Sequence, residues 1–416
     1  RVIQIGQGTI VGQRLNARDS GGYVPADAIR FNAHFNDIPF HPERKASWER
    51  LSEASRFSWD SPQQLAGFPN TVIYSPVCYL PAAMGVDIGR LLHRSVLTSF
   101  YLGRLFNAAF CWLVVMMALG TAKRGRLLLA GLTSMPMVLF LFASCSQDGP
   151  IIAMSALSVA LLTRLDDGLA SHRAFWPLVA VLVSCIVASK PPYILVAFIP
   201  LVLVSRSRMI TASLVLVVTL VVVAVWAAWG VHSTKVPFMM ETGVDASRQL
   251  RWSLGHPLKV MVILYHTFQD FGRDFLKQFV GVLGWMDAPL PGYFYPCEYL
   301  LLLCLTVLSV QSVDMRASRE AIARKVILLA LLTGTLIGVS LALYLIWTPV
   351  GTDPILGIQG RYFIPLGVFA ILALPSWSDK GLPESLLRRR TDAVFLLMTM
   401  LLDIVATGYT ILVRYW

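Results

Sequence analysis

Charge is scarce in this chain. Only 14% of its 416 residues are Asp, Glu, Lys or Arg, while 56% are hydrophobic; ordinary soluble domains carry about 25% charged residues. That balance leaves too little polar surface to cover a soluble globule, and it excludes disorder, a coiled coil and a disulfide scaffold. Compact chemical motifs are missing too. There is no Walker loop, no GxGxxG, no HExxH and no zinc-type Cys/His spacing, so ATP-driven transport and zinc hydrolysis have no local support. Cysteine is sparse, with six in all. Cys111, Cys145, Cys185 and Cys304 lie in or beside apolar runs and read as small hydrophobes. Cys78 and Cys297 fall in polar stretches, and a disulfide between them stays open but disfavoured.

What the chain has in quantity is long apolar runs. A helix crossing a bilayer needs about 20 apolar residues, with roughly 17 as the lower limit. That ruler predicts ten spans, near 101–122, 127–145, 150–163, 174–188, 191–204, 209–231, 298–312, 326–347, 362–377 and 393–413. Three of them (150–163, 191–204 and 298–312) are short. The expected fold is an all-α polytopic membrane protein with about ten transmembrane helices. The chain begins with Arg1 rather than Met, so a further helix is expected upstream, making eleven or more.

Charge then orients the spans. The net charge of +11 comes from 35 Lys and Arg against 24 Asp and Glu. In a soluble protein this would raise nucleic acid as a partner; here the basic residues cluster between apolar runs, so no nucleic acid is expected. One set of loops (123–126, 164–173, 206–208, 313–325 and 378–392) carries fifteen Lys and Arg. The opposite set (146–149, 189–192 and 348–361) carries only Lys190 and Arg361. The positive-inside rule puts the first set in the cytoplasm and the second outside. The domain order that follows is an extracytoplasmic segment 1–100, spans over 101–231, an extracytoplasmic loop 232–297 and spans over 298–416. Residues 1–70 read as loop with short helices. Met84–Leu92 reads as a short helix, and 258–283 as an amphipathic helix lying flat in the outer interface, with Leu264, Phe268, Phe271, Phe275 and Phe279 on one face.

The versatile side chains gather on the predicted outer face. Asp148, in SQDG, is an ionisable residue at a membrane boundary. It reads either as a functional acid or as a helix cap ahead of Gly149-Pro150. Lys190, in SKPP, could hold a phosphate or snorkel to the headgroups. Gln359, Gly360, Arg361 and Tyr362 stand where the chain re-enters the membrane, and the planar fork of Arg361 suits a phosphate. Trp285 and Asp287, in GWMDAPLP, could stack on a sugar and accept from its hydroxyls, or Trp285 could belong to the aromatic belt. Asp60 in FSWDSP, Tyr74 in NTVIYSPVCYLP, and the cations Arg248 and Arg251 complete the set. A carboxylate, cations for phosphate and aromatics for sugar are what transfer from a lipid-linked sugar requires.

The strings YSPVCYLP, YLGRLFN, SQDGP, SKPPY, VGVLGWMDAPLP and GIQGRYFIP occur in that order. They resemble an uncharacterised bacterial family of predicted multi-pass membrane proteins, a domain of unknown function, over about residues 10–370. That family is similar in layout to the GT-C glycosyltransferases, which use polyprenyl-phosphate sugars. The resemblance implies a GT-C-like membrane enzyme of the bacterial inner (cytoplasmic) membrane with its active face outside. Its partners would be the bilayer, a polyprenyl-phosphate-linked sugar and a cell-envelope glycan or lipid-linked acceptor. GT-C enzymes carry a catalytic acid in their first outer loop and often another in the next. On that layout residues 1–100 form the first loop, and Asp148 lies in the second. The family's acidic pair with a nearby His falls just before Arg1, so the main base is expected upstream and Asp60 is its substitute here. The preferred reading of these residues assigns the lipid phosphate to Lys190, Arg361, Arg248 and Arg251. It assigns sugar or acceptor to Trp285, Asp287, Gln359, Tyr362 and Tyr74. No metal ligand set is evident, and a divalent cation (Mg or Mn) stays open because GT-C relatives differ on it. The rival reading is a transporter or flippase of lipid-linked glycans, which would need polar residues along the middle of several spans.

Overall fold

The computed structural model describes residues 1–237, 243–309, 319–374 and 386–416. The basic stretches 313–325 and 378–392 therefore lie partly outside the described residues. Strands β1 (Gln13–Arg14), β2 (Ser20–Pro25) and β3 (Gln63–Gly67) stand among the short helices Val2–Gly6, Ala26–His34, Trp48–Ala54 and Pro69–Val72, and α1 (Leu80–Leu91) and α2 (Val96–Thr121) follow. Next come α3 (Arg126–Ser134), α4 (Pro136–Phe142), α5 (Asp148–Leu162), α6 (Phe175–Ser189) and, after a 3₁₀ stretch at Pro191–Phe198, α7 (Ile199–Leu203). Helices α8 (Met209–Trp226), α9 (Ala246–Gly255) and α10 (Pro257–Gly281) lead to a small hairpin of β4 (Val282–Leu283) and β5 (Ala288–Pro289). Helices α11 (Phe294–Ser309), α12 (Arg319–Trp347), α13 (Ile364–Ala370) and α14 (Leu386–Tyr415) complete the bundle.

Helix stands at each of the ten predicted span positions. Among the described residues, four segments are long and apolar enough to cross a membrane: Val96–Thr121, Arg206–Thr234, Arg319–Trp347 and Asp392–Tyr415. The remaining apolar helices are shorter. The 127–145 run, read above as one span, is broken. Pro136 has no N–H to give and disfavours helical backbone before it, and Met135 is accordingly extended at φ −49°, ψ 145°.

Helix α5 is the axis of the bundle. All of its residues are buried, as expected of a helix that is apolar all round. Its small residues Ala153, Ser155, Ala156, Ser158 and Ala160 are fully enclosed, which lets α2, α6 and α13 pack closely on it. Ser155 and Ser158 return their hydroxyls to the helix, donating to the carbonyls of Ile151 and Met154 at 2.8 Å.

The N-terminal segment departs from the all-helical expectation. β1, β2 and β3 form an antiparallel sheet with Gly21 opposite Gly67 and Tyr23 opposite Leu65. A side chain on Gly21 would lie 1.9 Å from the Ala66 carbonyl oxygen, so glycine permits the pairing. The alternating signal is missing because β2 is buried at every position but Tyr23.

The cysteine expectation needs correcting, and the amphipathic helix stands where expected. Cys78 is buried rather than set in a polar loop, Cys297 lies in α11, and both are free thiols. The amphipathic helix α10 turns Val260, Ile263 and Phe275 onto Tyr344, Ile355 and Ile358. Much of its apolar face therefore covers protein, while Leu258, Met261 and Tyr265 remain exposed.

Candidate functional site

Three segments far apart in sequence meet at the N-terminus of α5. Side chains of α2 hold the turn that leads there: Arg104 Nε donates to the Ala143 carbonyl at 2.6 Å and Asn107 Nδ2 to the Phe142 carbonyl at 3.1 Å. These are carbonyls at the end of α4, which that helix cannot satisfy itself. The cap position of α5 falls to Gln147. The Asp148 carboxylate is thus released from the capping role and points at two cations.

Lys190 follows the last residue of α6, where Pro191 and Pro192 stop the helix. Its Nζ lies 2.6 Å from Asp148 Oδ1 and 4.0 Å from the centre of the Tyr362 ring, which a cation finds favourable. Arg361 sits in the 3₁₀ turn Gly360–Phe363, with Nε 3.6 Å from Asp148 Oδ2. That turn is set by Gly360. Its N–H donates to Gln278 Oε1 at 2.7 Å, and a Cβ there would fall 1.9 Å from the Phe275 carbonyl oxygen. Tyr193 ties the two loops together, donating from its hydroxyl to the Tyr362 carbonyl at 2.6 Å.

Electrostatics set the character of the cluster. The side chains of Asp148, Lys190 and Arg361 are 10%, 14% and 23% exposed, so solvent screens them little. One carboxylate faces two cations, and the trio carries one positive charge in excess. Tyr74 and Tyr79, from the outer segment, feel the same carboxylate. Burial, then the nearby negative groups, push both phenols up, so they stay protonated donors. Gln147 Oε1, Gln359 Oε1 and Arg361 Nε are buried without a hydrogen-bond partner. A small anion bearing hydroxyls would answer both needs.

Among the residues singled out from sequence, Asp148, Lys190, Arg361 and Tyr362 are in mutual contact, and Tyr74 lies within their field. Others stand elsewhere. Asp60 accepts from the Ser58 hydroxyl at 2.9 Å in an exposed turn. Arg248 and Arg251 are exposed on α9. Trp285 is 70% exposed. Asp287 is fully engaged within the protein: Oδ1 accepts from Trp285 N–H at 3.0 Å and Tyr415 Oη at 3.1 Å. Its Oδ2 accepts from Phe40 N–H at 3.0 Å and Arg414 Nη2 at 2.5 Å. Asp287 therefore pins the hairpin to α14 and the outer segment.

Sequence reading passed over Tyr193, Arg104 and Asn107. The signal available was a polar side chain inside an apolar run, Arg104 and Asn107 in YLGRLFN, and the tyrosine that follows SKPP. Cys78, beside the cluster, accepts from the Ser189 hydroxyl at 3.1 Å, and burial pushes its thiol up to about 12. Among the described residues no three of His, Cys, Asp and Glu converge on one point that could hold a metal.

No curated protein matches this chain. The solved cryo-EM structure of the arabinofuranosyltransferase AftD from Mycobacteria is similar over 94% of this chain at 16% identity, with a TM-score of 0.35. The alignment spans 26% of the mycobacterial chain, so this chain corresponds to about a quarter of that protein. A family model described as a predicted membrane protein, DUF2142, matches residues 1–370. The long apolar helices and the match over most of the sequence agree: the chain belongs to the DUF2142 family of multi-pass membrane proteins.

Proposed function

We propose that this protein is an integral-membrane glycosyltransferase that moves a sugar from a polyprenyl-phosphate donor to a cell-envelope glycan or lipid-linked acceptor. The observation that carries the reading is the buried trio Asp148, Lys190 and Arg361, with its excess positive charge. Buried charge in excess calls for a counter-ion, and a lipid phosphate is the anion a membrane site meets. Lys190 and Arg361 would hold that phosphate, Arg361 through two parallel N–H groups. Held there, they would stabilise the negative charge that the phosphate gains as the sugar leaves.

Asp148 fits an organising role better than that of a free base. Both its oxygens face cations, which lowers its appetite for a proton. In this reading it fixes the spacing of Lys190 and Arg361 and orients the acceptor or a divalent ion. Tyr74 and Tyr362 would line the sugar, and Gln359 would use its unpaired oxygen to accept from a hydroxyl. The active face would lie outside the inner membrane, where the sparsely charged loops 146–149, 189–192 and 348–361 meet.

Purified protein should transfer a sugar from a synthetic lipid-phosphate sugar to an acceptor lipid. Wild-type transfer by both Arg361→Ala and Asp148→Asn would remove the site from consideration. A second reading, transport of lipid-linked glycans, gains from two buried acids inside the bundle, Glu298 and Asp403. Movement of a labelled lipid-linked glycan across liposomes, with no sugar transfer, would favour it.

A further inference from the structure

Two carboxyl groups are enclosed within the helices, away from the site just described. Glu298 is in the second turn of α11, and Asp403 is in the middle of α14; both have no exposed surface. The two side chains face each other where α11 packs on α14. Yet no protein donor serves Glu298 Oε1, Glu298 Oε2 or Asp403 Oδ1. An ionised carboxylate only accepts, so two of them have nothing to share unless one carries a proton.

Among the described residues the surroundings supply no counter-charge. Asp403 Oδ2 lies 3.1 Å from the Ser134 hydroxyl, which stands 3.0 Å from the Gly131 carbonyl at the end of α3. That hydroxyl has a single hydrogen. It can donate to Gly131 and accept from a protonated Asp403, or donate to Asp403 directly. The other titratable group facing the pair is Tyr299, also on α11. From α3, α4 and α14, the described residues packed around the pair bring no Lys, Arg or His to either carboxyl. Two bare negative charges in such a place would be prohibitive.

We propose that Glu298 and Asp403 form a membrane-embedded proton-binding site, with one proton held between the two carboxyls and Ser134 as the third member. The ligand is the proton itself. The site lies at the contact of α14 with α11 and α3, next to the break that Pro136 makes between α3 and α4. The C-terminal helix is then fastened twice: at depth by a shared proton, and at its end by Arg414 on Asp287. This inference stands apart from the glycosyltransferase reading and uses none of its residues.

Infrared spectroscopy of the purified full chain in nanodiscs at neutral pH tests it. The wild type should show the carbonyl stretch of a protonated carboxyl. The band should shift when the protein is grown with ¹³C-carboxyl-labelled Glu and Asp, a measurement that requires no variant. Glu298→Gln and Asp403→Asn should each lose the band. Both should keep a near-wild-type melting temperature, because the amide brings the hydrogen that the proton supplied. Glu298→Ala should melt lower, leaving Asp403 alone. No isotope-sensitive protonated band in the wild type overturns the proposal. So does a band that survives unchanged in both amide variants. A sodium-dependent melting temperature without the band would show a bound metal cation in the proton's place, which also overturns it.

Discussion

Lys190 Nζ stands 2.6 Å from Asp148 Oδ1 while resting 4.0 Å from the centre of the Tyr362 ring. The ammonium joins α6, α5 and the loop before α13 at one point, and each neighbour has its place because of it. Removing one member of such a pair leaves an uncompensated buried charge, at a cost of about 3–5 kcal/mol. Asp148→Asn should lower the melting temperature strongly. Adding Lys190→Met to it should recover part of the loss. Strictly additive losses in that double-mutant cycle would show that the two do not act as a pair.

Arg361→Lys tests the guanidinium rather than the charge. Lysine keeps the positive charge but loses the planar fork. Transfer should fall by about 10²-fold, as when one donor to a developing charge is removed, while the melting temperature changes little. Unchanged rates with the lipid-phosphate sugar would show that only charge matters at this position.

Gly360→Ala would place a methyl group 1.9 Å from the Phe275 carbonyl oxygen. The 3₁₀ turn carrying Arg361 would have to move away from α10 and release the bond to Gln278. We expect a loss of about 1–3 kcal/mol from overpacking, with a larger loss of donor binding. Thermal unfolding and binding of the lipid-phosphate sugar would be measured side by side; wild-type values in both would contradict the contact.

Tyr193→Phe removes the hydroxyl that serves the Tyr362 carbonyl. A buried carbonyl left without a donor costs about 1–3 kcal/mol. A denaturant midpoint equal to that of wild type would mean another donor takes its place.

Asp287 predicts a dependence on acid. Burial alone would raise its carboxyl, but the Phe40 N–H and Arg414 outweigh burial and hold it below the usual carboxylate range. A depressed carboxyl stabilises the fold above its unfolded value, about 3.9. That contribution fades as pH falls from there through the lower folded value. The melting-temperature gap between wild type and Asp287→Asn should be widest near neutral pH and close in acid. A gap that stays constant with pH would contradict the assignment.

The sequence by itself determined membrane residence, where the apolar helical segments lie and the grouping of the sparsely charged loops. These follow from hydropathy and charge, which are summed over neighbours in the chain. It also marked Asp148, Lys190, Arg361 and Tyr362, each conspicuous as a polar residue at the edge of an apolar run. It could not mark their pairing, because nothing local says that the end of α6 lands on the start of α5. Nor could it separate Asp287 from them. That residue has the same company of aromatics and prolines, but the fold ties up both its oxygens. The small sheet escaped notice because β2 is covered on both faces. Glu298 and Asp403 lie far apart in the sequence, and only helix packing brings them together. Composition chose the solvent for this chain, whereas the partners of its buried charges, made across long sequence separations, were decided by the tertiary structure.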